Sequence, residues 1–83
     1  MWHYDFYMMK NDKGERCLFG VIPERNKEQV EIHDESHVIK PKSIIHIHDA
    51  RNVWEMKLEA GWKPISVNSR TIMEVVTNVE TYC

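Results

Sequence analysis

Four histidines, His33, His37, His46 and His48, fall within sixteen residues of an 83-residue chain that carries five in all. His46 and His48 stand two apart, which puts both imidazoles on one face of an extended strand. With Asp49, or with a ligand from the segment 33–37, they would make a zinc-like or nickel-like site. The same spacing also describes the wet face of a strand whose other face is Ile45 and Ile47, with His33 placed likewise on a strand of its own. Imidazoles on a wet face titrate near neutral pH and need no metal. No HExxH, paired CxxC or finger spacing supports the ion, so no cofactor is expected apart from a divalent metal at this cluster.

Other chemistry is thinly supplied. Cys17 shares a strand face with Phe19 and Val21, the setting of a small buried hydrophobe, whereas a reactive thiolate needs nearby positive charge or a helix N-terminus. Asp34 and Glu35 are adjacent carboxylates without apolar shielding to raise either pKa. Phosphate-cradling and nucleophile-elbow motifs are absent, and three glycines leave no material for a glycine-rich loop. No catalytic residue is assigned and no enzyme is expected. Trp2, Tyr4 and Phe6 beside Lys10, Lys13 and Arg16 would suit base stacking with phosphate contacts. Nucleic acid is nonetheless disfavoured, because there is no basic run and aromatic stripes on a strand are more often core.

The whole-chain balance agrees. Eleven basic against thirteen acidic side chains give a net charge of −2, with 42% hydrophobic residues and eight aromatics. That is core material for one small domain over 1–83 and no field for polyanions. Cys17 and Cys83 are far apart and one is terminal, so a reducing compartment is the simpler expectation. No secretory pattern or long apolar run opens the chain, which places the protein in the cytoplasm and off the membrane.

The elements follow from periodicity. Residues 2–9 alternate, with Trp2, Tyr4, Phe6 and Met8 on one side and Tyr7 and Met9 on the other. Asn11, Asp12, Lys13 and Gly14 turn the chain into a second strand over 16–22, giving an N-terminal β-hairpin. Residues 29–33 form a third strand, residues 37–39 at most a short edge strand, and residues 44–48 a further strand. Asp49 caps a helix over 50–60, with Ala50, Val53, Trp54 and Leu58 on its apolar face and Gly61 as the C-terminal stop. Pro64 keeps 62–67 extended. The last segment fits both periods; Asn68 and Ser69, as caps, favour a helix from Arg70 over a strand. The expected fold is α+β: an antiparallel sheet of four to five strands packed by one or two helices.

A hairpin with large apolar side chains on both faces must have both covered. Either helices sandwich the sheet, or one face is left for a partner or a second copy of the chain. On the second reading the contact residues are Trp2, Tyr4, Tyr7 and Met9, extended by Met56 and Trp62. The expectation is a small non-catalytic protein-binding module, an adaptor, regulator or inhibitor that self-associates, of the kind seen as bacterial or phage accessory proteins. The alternatives are a divalent-metal binder through His46 and His48 with His33 and His37, and a nucleic-acid or nucleotide binder.

Overall fold

The computed structural model describes residues 5–21 and 28–82, apart from the side chains of 81 and 82. The protein is a small α+β domain with five strands and two helices, in the order β1 (Phe6–Lys10), β2 (Arg16–Val21), β3 (Gln29–Asp34), β4 (Lys42–His46), α1 (Ile47–Glu59), β5 (Lys63–Ile65) and α2 (Ser69–Tyr82). The sheet order is β4-β3-β2-β1-β5, and every neighbouring pair is antiparallel.

The β1–β2 hairpin forms where the turn residues require it. Gly14 takes φ +83°, a left-handed conformation that costs glycine nothing. Asn11 closes the loop: its Oδ1 accepts from the Lys13 and Glu15 amides at 3.0 and 2.9 Å. The register pairs Met8 with Leu18 and Leu18 with His33, so Phe6, Met8, Leu18 and His33 share one face. Tyr7, Met9, Cys17, Phe19, Val30 and Ile32 share the other.

Each face has its own core. Beneath α1, Met9, Cys17, Phe19, Val21, Val30, Ile32 and Ala50 are buried, with Val53, Trp54 and Trp62 packed on them. Beneath α2, Met8 and Leu18 meet Val75 and Val79. Helices thus cover both faces of the hairpin, the sandwich that two apolar strand faces allow. Leu18, Met8, Val75 and Val79 show at most 1% exposure, so this second interface is dry.

Two local expectations are corrected. The fourth strand ends at His46 and α1 starts at Ile47, three residues before Ala50; the cap is His46, whose side chain accepts from the His48 amide, and Asp49 lies in the first turn. Leu58 is exposed and leaves the apolar face of α1, which keeps Ala50, Val53 and Trp54. Residues 37–39, where at most a short edge strand is expected, form none and lie in the β3–β4 connection. The ambiguous C-terminal segment is helical. Asn68 Oδ1 accepts from the Thr71 amide while Thr71 Oγ1 accepts from the Asn68 amide, both at 3.0 Å, a reciprocal cap that tips β-branched residues into helix. Gly61 at φ +100° closes α1, and its amide donates to the Leu58 carbonyl at 3.1 Å.

Candidate functional site

A cleft of about 780 Å³ lies at the β1–β5 edge of the sheet. Its origin is a length mismatch. β5 is three residues long and pairs with β1 only from Met8 to Lys10, so Phe6 and Tyr7 pair with β2 but have no strand on the β5 side among the described residues. The Val21 amide donates to the Asp5 carbonyl at 2.8 Å, on the β2 side. Backbone groups alternate sides along a strand, so the N–H and C=O of Phe6 point the other way, towards the cleft. Phe6, Ile65, Val67 and Ile72 line one part of it, Tyr7 and Trp54 another, and Asp5, Ser66, Asn68 and Ser69 the rim.

The aromatic wall is held from below. Trp54 of α1 meets Tyr7 edge-on at 6.0 Å between centroids and Phe19 at 5.2 Å. Phe6 lies across Gly20: a Cβ there would come within 3.1 Å of its ring, so glycine lets the ring lie against the sheet. Phe6 still shows 42% exposure, a large apolar ring at the mouth of the cleft.

The predicted contact residues are dispersed. Tyr7 lines the cleft. Met9 is fully buried under α1 and serves the core, because alternation turns it onto the more enclosed face. Met56 projects from α1 at 68% exposure, and Trp62 is half-buried with the Lys57 ammonium 3.9 Å from its ring centre. Trp2 and Tyr4 lie outside the described residues. Sequence reasoning missed Pro64, Ile65, Ser66 and Ile72 as cleft residues. The available signal was Pro64, whose missing amide donor suits the open side of an edge strand.

The histidines divide. His46 and His48 are adjacent, with rings stacked at 5.0 Å, but across a strand-to-helix junction and not along one strand. His37 is exposed in the β3–β4 connection, its Nδ1 accepting from the Lys40 amide at 3.0 Å. His33 is buried on the face beneath α2 and not on a wet face: Nε2 is 3.3 Å from Glu31, and Nδ1 has no partner among the described residues. Among the described residues no three His, Cys, Asp or Glu side chains group as metal donors.

Two charged groups fasten the helices. Asp34 accepts from Lys57 Nζ at 2.8 Å and from the Ser36 hydroxyl and amide at 2.6 and 2.9 Å. Burial alone would raise the Asp34 carboxyl, but the Lys57 and Ser36 donors together hold it below the usual range. Glu35 receives Arg16 through Nε at 3.1 Å and Nη2 at 3.2 Å, and Asn78 of α2 at 2.8 Å. It too is held low, as these donors outweigh its burial. Arg16 also reaches Glu74 of α2 at 3.0 Å, so the cation placed beside an aromatic stripe in the sequence is committed to internal pairing. Burial pushes the Cys17 thiol far up, with Asp34 adding to the effect, which removes it as a nucleophile.

Among the described residues no helix is long and apolar enough to cross a membrane. Comparison with protein-family models, curated proteins and solved structures finds no match to this chain.

Proposed function

We propose that the chain is a non-catalytic protein-binding module, an adaptor, regulator or inhibitor, that takes an extended apolar segment of a partner protein along the uncovered part of β1. The observation that supports this is the cleft at the end of β5, where a backbone edge and an apolar wall adjoin. An extended segment fits such a place better than a compact ligand does: its main chain pairs with Phe6 and alternate side chains enter between Ile65 and Ile72. Covering of both sheet faces by helices moves the expected contact from the face of the hairpin to its edge.

The test is selection of peptides from a random displayed library on the immobilised chain, repeated on Ser66→Arg, which fills the cleft from an exposed position. Peptides alternating in apolar residues that bind the wild type and lose at least about tenfold on the variant, the factor that roughly 1.4 kcal/mol represents, support the reading. A library that yields none, or peptides indifferent to Ser66→Arg, overturns it. Self-association is part of the proposal and is tested by sedimentation, where a strict monomer at high concentration removes it.

The stacked His46–His48 pair favours one second reading, a divalent-metal binder. Stoichiometric metal in untagged protein, lost in the His46→Ala/His48→Ala double variant, would put that reading first.

A further inference from the structure

The face beneath α2 contains one group that apolar packing does not explain. His33 pairs in register with Leu18 on one side and Lys42 on the other, and Leu18 is the residue on which Val75 and Val79 sit. The imidazole is therefore in the row that α2 covers, and it is 6% exposed. With Nε2 directed at Glu31, Nδ1 is left as a buried acceptor without a donor among the described residues.

Protonation in place would turn Nδ1 into a donor with no acceptor and put a full charge in that layer. The groups around it do not supply a clean counter-charge. Glu31 is already 3.1 Å from the Lys42 ammonium, so a protonated His33 shares its carboxylate with a second cation. From α2, Glu80 attracts it, while Glu74 and, from the β3–β4 connection, Glu35 are taken by Arg16 of β2. Burial, helped by Lys42, keeps His33 below the ordinary imidazole pKa against the pull of Glu31 and Glu80.

Undocking of α2 would relieve all of this at once, and the fold permits it, because the core beneath α1 shares no residue with the core beneath α2. We propose that His33 is an acid-sensitive latch for α2: its protonation releases the helix from the sheet, bares Met8 and Leu18, and leaves the α1 side folded. The proposal goes beyond the peptide-binding reading and does not depend on it. The sign follows from linkage. A group that resists protonation in the docked state but accepts it when released favours release as pH falls below about 6.5, down to its lower docked pKa.

The experiment is amide hydrogen exchange on the full chain between about pH 7.5 and pH 4.5, corrected for intrinsic rates, with the carboxylates Asp34 and Glu35 still ionised over most of that window. Protection of residues 75–80 is expected to fall up to about tenfold per pH unit below about pH 6.5, while the β2–β3 ladder amides of Phe19, Val30 and Ile32, whose side chains pack beneath α1, stay protected. His33→Gln and His33→Phe should each flatten this dependence. Unchanged α2 protection in the wild type overturns the proposal without need of a variant. So does loss of protection spread evenly over the sheet, or an undiminished pH dependence in both variants.

Discussion

Lys57→Met tests how α1 is fastened to the sheet. Lys57 and Asp34 side chains are 16% and 12% exposed and meet at 2.8 Å, so the substitution strands a nearly buried carboxylate. Removing one partner of a fully buried pair costs about 3–5 kcal/mol. Here Asp34 keeps two donors from Ser36, which lowers the expected loss to about 1–3 kcal/mol, each retained bond offsetting about 1 kcal/mol. Loss of the ammonium over Trp62 adds about 0.5 kcal/mol, and methionine keeps the helix propensity and most of the apolar contact. Against a stability of about 4–12 kcal/mol for a chain of this length, the effect is large. Urea unfolding followed by circular dichroism measures it. Because the docked Asp34 carboxyl sits below its usual range, its contribution is present above about pH 4 and disappears as pH falls through its native pKa. The gap between wild type and variant must therefore shrink on acidification. A loss under about 0.5 kcal/mol at neutral pH, or a gap unchanged at about pH 3, refutes the reasoning.

Four further outcomes follow from single contacts. Glu35→Gln removes the paired acceptor of Arg16 and should cost about 1–2 kcal/mol in urea unfolding, with the difference narrowing at acid pH because native Glu35 is also held low. Asn68→Ala deletes the α2 cap and is expected to cost about 1 kcal/mol, whereas Asn68→Asp retains most of it; thermal unfolding ranks them. Gly61→Ala meets no atom within 4 Å yet must adopt φ +100°, so its loss of about 1 kcal/mol reflects backbone strain and not a steric clash. Cys17 should resist alkylation in the native chain at about pH 8 and react in urea, as mass-mapped labelling would show, since burial suppresses its thiolate.

The features legible in the sequence were those written in local patterns. Alternation in 29–33, the Asn11–Gly14 turn and the helical spacing of Ala50, Val53 and Trp54 are each local, and each element formed. His46 was misread because the strand and helix periods meet at that residue: the imidazole that looked like a strand side chain caps the helix. His33 was misread because its burial depends on α2, which arrives more than thirty residues later. The cleft was illegible for the same reason. It exists only because β5 returns to the free edge of β1 and stops early, a long-range pairing with no signature in either segment beyond Pro64.

The central claim is that a partner segment binds at the end of β5, and backbone amide chemical-shift mapping tests it most directly. On titration of a ¹⁵N-labelled chain with a library-selected peptide, shifts are predicted for Phe6, Tyr7, Ile65, Ser66, Asn68 and Ile72, with β4 unaffected. Saturable shifts centred on β4 or the β3–β4 connection, with the Phe6 and Ser66 amides unmoved, would contradict it.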